Sequence, residues 1–165
     1  MPSQNKIDWD TYFMIQCFVV SMRSIDTTKH GAIIVDKNNR ILSCGYNGNI
    51  SGIDDSTIPS TSPEKYPYRV HAEENAILFL NQPLFSGTKI YVTGRPCHKC
   101  TRMIAQKEIK HIIYGPQSSK CVDLEDIKAS EKMIKDKKIK VTIYNDIHKL
   151  ISFTNSLLER INIIT

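Results

Sequence analysis

Residues 88–115, TKIYVTGRPCHKCTRMIAQKEIKHIIYG, decide the fold. TKIYVTG (88–94) reads as a strand, CHKCTRMIAQKE (97–108) as a helix that starts just after Pro96, and KHIIYG (110–115) as a second strand. Strand, helix, strand in that order favours parallel pairing, because the crossover helix returns the chain to the same edge. The pattern continues with a helix over LEDIKASEKMIKDK (124–137), a strand over IKVTIYN (139–145) and a closing helix over DIHKLISFTNSLLERI (146–161). Inside the deciding stretch, Cys97 and Cys100 stand three apart and offer two thiolates to a metal or to a redox partner.

Upstream, AIIV (32–35) and ILSC (41–44) flank the turn-rich DKNN and predict a β-hairpin that ends in a glycine-rich loop, GYNGNISG (45–52). Residues 8–24 place Tyr12, Ile15, Val19 and Met22 at helical spacing behind an acidic first turn, so an amphipathic helix covering the sheet is expected there. Residues 49–68, rich in Ser, Pro and Asp without periodicity, read as a long ordered loop, and VHAEENAILFL (70–80) as a helix with a buried face. The expected architecture is α/β: a mixed five-stranded sheet with helices on both faces, in one domain spanning 1–165.

With 165 residues, 41% hydrophobic and 24% charged, the composition is that of a globular domain rather than a disordered or membrane-spanning chain. MPSQNKIDWD lacks the basic start of a secretory leader, so a cytosolic protein with reduced thiols is expected. The net charge of +5 is concentrated in runs such as KMIKDKKIK (132–140), which read as a solvated surface. Attraction for phosphorylated molecules is the functional alternative, and a charge count does not separate a nucleotide from a nucleic acid.

The missing partners of the cysteine pair stand in HAE, residues 71–73. Zinc takes thiolates and imidazole readily, and a catalytic site keeps its fourth position open, which two cysteines and His71 provide. The two thiols project from one face at a helix start, where ionisation is favoured. Glu73, two positions beyond His71, is placed to take a proton from a water at the metal and later deliver it. A proline-cysteine pair followed by a second cysteine three on arises by chance in about one such chain in a hundred or fewer.

H-x-E followed by P-C-x-x-C is the signature of zinc-dependent nucleobase deaminases. The set DWDTYFM, RSID, GAIIV, GYNG, YPYRVHAEENAI and YVTGRPCHKC covers roughly residues 8–115, and through it the chain resembles the cytidine deaminase superfamily, in particular its deoxycytidylate (dCMP) deaminase branch of viral or phage type. The resemblance implies a three-layer α-β-α fold, one catalytic zinc on His71, Cys97 and Cys100, and Glu73 as proton shuttle in hydrolysis of dCMP to dUMP and ammonia, supplying dUMP for thymidylate synthesis. It further implies substrate contacts at Asn47, whose amide both donates and accepts, at the Ala72 backbone, and at His30 and Pro96.

A second nucleotide site is implied at Gly48, Asn49, Gly52 and Asn75, where dCTP activates and dTTP inhibits with Mg²⁺, within a homo-oligomer, usually a hexamer. Neither a membrane nor a nucleic acid is an expected partner, and the host cytoplasm is the expected location if the source is viral. Two departures stand out: NISG replaces the usual proline-containing loop after GYNG, and His30 stands where a valine is common. For the substrate phosphate, Arg23, Ser24, Lys29, Arg95 and PQSSK (116–120) are the candidates. Residues 49–70 hold no Cys or His, so a single zinc is expected, and Cys17, Cys44 and Cys121 read as buried or semi-buried. Two rival readings share these residues. A deaminase of tRNA or single-stranded DNA requires an aromatic-lined basic groove, and a structural zinc module requires a fourth ligand such as His98 or His111.

Overall fold

The structure, a computed structural model, describes residues 6–84, 86–118 and 123–162. Helix α1 (Trp9–Ser21) starts at Asp8, whose carboxylate accepts from the Thr11 backbone N–H at 2.9 Å and caps the first turn. Strands β1 (Gly31–Val35) and β2 (Ile41–Tyr46) form the expected antiparallel hairpin. In its turn, Asp36 accepts from the Asn38 and Arg40 N–H groups and Asn39 takes a left-handed φ of 61°. Next come β3 (Gly48–Asn49), β4 (Arg69–Val70) and α2 (Ala72–Leu78), then β5 (Lys89–Gly94), α3 (His98–Gln106) and β6 (His111–Gln117). The described chain closes with α4 (Leu124–Asp136), β7 (Lys140–Ile143) and α5 (Ile147–Asn162).

The main sheet runs β2-β1-β5-β6-β7, antiparallel through β2-β1-β5 and parallel through β5-β6-β7. Strand alternation sends Ile33, Val35, Tyr91 and Ile113 to one face, where Phe13, Met14 and Cys17 of α1 cover them with Leu150 of α5. Ala32, Ile34, Ile90, Val92 and Ile112 point the other way, beneath Ala72, Ala76 and Ile77 of α2 and Ile104 and Ala105 of α3. The three-layer mixed α/β architecture is therefore the expected one. No described helix is long and apolar enough to cross a membrane.

Three expectations need correction. The buried stripe of α1 is Thr11, Phe13, Met14, Cys17 and Ser21, while Tyr12, Val19 and Met22 are exposed. YFMIQCFVV is apolar nearly all round, so periodicity left the rotation open. Contact with the strand sets it: a Cβ on Gly31 would fall 2.0 Å from the Cys17 carbonyl oxygen. The stretch read as loop contains a ribbon, in which Gly48 and Asn49 pair with Val70 and Arg69, besides turns of 3-10 helix at Asp55–Thr57 and Tyr66–Tyr68. Two-residue strands are too short to show a period. Cys17 is buried as expected, but Cys44 on edge strand β2 is exposed, and Cys121 lies outside the described residues.

Helix α2 lies directly on β2. A Cβ on Gly45 would sit 2.4 Å from the Ala72 carbonyl oxygen and from the Ala76 nitrogen, and beside it the Ser43 hydroxyl donates to the Ala76 carbonyl at 2.6 Å. Gly45→Ala must therefore push α2 off the sheet and is expected to lower unfolding stability by about 1–3 kcal/mol. Denaturant titration of the two proteins measures this, and an unchanged midpoint would contradict the packing.

Candidate functional site

Two helix starts meet above the sheet. Cys97 is the N-cap of α3 and Cys100 lies one turn on, so their thiols share a face. His71 is the N-cap of α2, reached through β4, and its backbone N–H is met by the Glu74 carboxylate at 3.4 Å. Because α2 and α3 pack over one sheet face, His71 Nδ1 comes within 3.5 Å of Cys97 Sγ and 3.3 Å of Cys100 Sγ. All three ligand atoms lie within 4.8 Å of one another.

These spacings fit zinc. Ordinary Zn–N and Zn–S bond lengths at tetrahedral angles put neighbouring nitrogen and sulfur about 3.6 Å apart and two sulfurs about 3.8 Å apart. No fourth His, Cys, Asp or Glu joins the group among the described residues. The histidines a closed structural site would need stand apart from the trio: His98 Nδ1 lies 2.5 Å from the Asp126 carboxylate, and His111 meets the Thr142 hydroxyl at 2.9 Å. The electrostatics are already arranged for a cation. Hydrogen bonds from Cys100 and then His71 draw the Cys97 thiol down to about 3 against the opposing effect of burial. His71 is raised to about 9, chiefly by its hydrogen bond to Cys97. Cys100, donating to Cys97 and buried, is pushed well above the ordinary thiol range.

Glu73 is 5% exposed and lines the same pocket, which encloses about 400 Å³. Burial raises its carboxyl to about 7 against the pull of His71, so it can both accept and return a proton near neutrality. Ala72, His30, Asn47 and Arg95 also line the cavity. The ring of His30 sits 3.2 Å from the Thr93 hydroxyl, and burial holds its pKa down. Asn47 Oδ1 accepts from the His30 backbone N–H at 2.7 Å, and Nδ2 donates to Asp26 and to the Thr28 carbonyl at 3.0 Å each. Both amide donors are thus used within the protein, and a lone pair on Oδ1 is left for a ligand.

Other sequence candidates lie outside the lining. Arg23 is exposed, Ser24 is buried with its hydroxyl accepting from the Asp26 N–H at 3.1 Å, and Pro96 lines a separate groove between α4 and the β6–β7 edge. Lys29 donates to the Ser24 carbonyl, the Gln117 amide donates to the Lys29 carbonyl, and Ser119 and Lys120 fall outside the described residues. Gly48, Asn49, Gly52 and Asn75 do not line this pocket either: Asn75 donates to the Tyr46 carbonyl at 2.8 Å, and Asn49 is held between Asp55 and Arg69. Sequence reasoning missed Asp26, Lys65 and Arg69, all of which line the cavity. Two-residue alternation from His71 back to Arg69 was the available signal.

The zinc-binding region that characterises cytidine and deoxycytidylate deaminases matches residues 7–116. The chain is 37% identical over 140 residues to a probable deoxycytidylate deaminase of Drosophila melanogaster, across 78% of this chain and 68% of that one. It is 36% identical over 136 residues to the deoxycytidylate deaminase of Mus musculus, across 78% and 75%. The crystal structure of a dCMP deaminase from the cyanophage S-TIM5, in complex with dCMP and dUMP, superposes with a TM-score of 0.64 at 25% identity, over 86% of this chain and 99% of that one.

Zinc requires a neutral imidazole and two thiolates. In the metal-free protein at pH 8, Cys97 is ionised, while His71 and Cys100 carry protons. Zinc uptake at pH 8 is therefore expected to release about two protons per chain, and apparent affinity should fall by ~100-fold per unit as pH drops from 8 to 7. Titration of zinc into weakly buffered metal-free protein, read by a pH indicator, measures the release. Uptake without proton release would contradict this charge arrangement.

Proposed function

The chain belongs to the cytidine and deoxycytidylate deaminase family, and from that premise we propose that it hydrolyses dCMP to dUMP and ammonia. One observation carries the reading: His71, Cys97 and Cys100 cluster as zinc takes its ligands, and His71 and Cys97 line a pocket with the Glu73 carboxyl, which burial raises to about 7. Zinc held by those ligands supplies Lewis acidity, which makes water nucleophilic near neutral pH. Ionised Glu73 takes the proton of the attacking water and delivers it to the pyrimidine N3. As the oxygen of that water bonds to C4, its second proton passes through the same carboxyl to the amine and the C4–N bond breaks, so that water and dCMP become dUMP and ammonia.

Ala72 supports the base, and the remaining lone pair of Asn47 Oδ1 accepts from a sugar hydroxyl. His30, kept neutral by burial, presents an uncharged ring to the pyrimidine. Ser62, Lys65, Tyr66 and Arg69 line the pocket beside these residues, two of them cations that suit a nucleotide phosphate. Reduced thiolate ligands suit the cytoplasm, where dUMP feeds thymidylate synthesis.

Regulation is part of the proposal: dCTP activates and dTTP inhibits with Mg²⁺ at Gly48, Asn49, Gly52 and Asn75, within a homo-oligomer such as a hexamer. In support, Gly52 has open space around a left-handed φ of 84°, as a loop that wraps a ligand needs.

Glu73→Gln is nearly isosteric but cannot shuttle a proton. Its kcat on dCMP, followed as ammonia release, is expected to fall by about 10²–10⁴-fold while zinc content and melting temperature are retained. A folded, zinc-loaded and fully active Glu73→Gln protein, or turnover of a single-stranded oligonucleotide in place of dCMP, overturns the reading.

A further inference from the structure

Two cations in the pocket share one carboxylate. Asp26 Oδ1 lies 3.0 Å from Lys65 Nζ and 3.4 Å from Arg69 Nε, and Oδ2 accepts from Asn47 Nδ2 at 3.0 Å. The side chains of Lys65, Arg69 and Asp26 are 14%, 11% and 8% exposed. Charges this far from water are costly unless compensated, and here two positive charges face a single negative one. The further contact of Arg69 is neutral, Nη1 donating to the Asn49 side-chain oxygen, while the Asp55 carboxylate is engaged by the Asn49 amide. Arg69 Nε is buried, and despite its proximity to Asp26 it has no partner in hydrogen-bonding geometry. The cluster therefore carries one uncompensated positive charge and an orphaned donor, both suited to an anion.

Its position says which anion. Arg69 and His71 stand two apart in extended chain, so their side chains leave on the same side, with Cα atoms about 7 Å apart. Asn47, the candidate partner of the sugar, donates to Asp26 and so ties the cation pair to the place of the sugar in the pocket. The other cations of the pocket belong to the reacting end: Arg95 and Lys99 flank Cys97, and Arg95 is paired with Glu131 at 3.1 Å.

Resting on the dCMP reading above, we infer that Lys65 and Arg69 form the subsite for the 5′-phosphate, with Asp26 as the positioning residue that holds both cations. The guanidinium presents a planar fork to two phosphate oxygens and the ammonium a point charge. Because the phosphate does not change during deamination, its contacts act equally on ground and transition states. Their loss then appears in KM rather than kcat.

The test uses zinc-loaded full-length protein and its Lys65→Met and Arg69→Gln variants, with thermal unfolding confirming the fold. The KM for dCMP is expected to rise at least about tenfold in each variant while kcat changes less than about threefold. Inhibition of the parent by inorganic phosphate, competitive with dCMP, should weaken in parallel. A KM within about twofold of the parent in both variants overturns the subsite. Should Arg69→Gln fail to fold, Lys65→Met, whose ammonium makes one side-chain contact, decides alone. If the parent does not turn over dCMP, the proposed function fails by itself. Calorimetry with inorganic phosphate then still decides the subsite: binding to the parent and not to the variants upholds it, and equal or absent binding overturns it.

Discussion

The backbone of α2 rests on β2 at Gly45 with no room for a methyl group, and the rest of the site depends on that closeness. It lets His71, at the start of a short helix, reach two thiols at the start of another. It also sinks Glu73, the second residue of α2, to 5% exposure, and so sets the carboxyl near neutrality. Raising the helix by one atomic layer would admit water to Glu73 and separate imidazole from sulfur. A packing contact on the sheet is thus a statement about proton affinity in the pocket.

Burial has a second consequence. A carboxyl held above its ordinary range binds a proton more tightly folded than unfolded, so its contribution to stability is present below the unfolded value of 4.5 and is lost as pH rises through about 7. Cys97 alone of the trio opposes it: its thiolate, depressed to about 3, favours the fold above its unfolded pKa and ceases to do so as pH falls through the folded one. Without metal the two demands cross in the same few cubic ångströms. A divalent cation relieves both, because it favours thiolate and carboxylate together.

Much of this was legible in the sequence. The strand-helix-strand of residues 88–115 and the strands beyond it fixed parallel pairing, and His71, Cys97 and Cys100 were recognisable because their ligand chemistry allows few substitutes. The rotation of α1 was not legible, since an almost wholly apolar helix has no preferred face until Gly31 and Cys17 meet. Nor was the ribbon of Gly48–Asn49 with Arg69–Val70, too short for a period. Lys65 and Arg69 were hidden differently: in EKYPYR they look like ordinary solvated charges, and only the return of this segment onto Asp26 removes them from water.

The ribbon also bears on how this chain can change length. Arg69 and His71 depend on strand alternation, so one residue inserted between them would turn the cation away from the pocket while leaving His71 in place beside the two thiols. The interval from Lys65 to Glu73 is therefore a fixed ruler. Between Asp55, which engages Asn49, and Ser62, which lines the pocket, the chain only has to leave and return, and lengthening such a span costs little closure entropy. Insertions and deletions among descendants of this sequence should accumulate on one side of Lys65 and stop there, a boundary drawn by side-chain direction rather than by exposure.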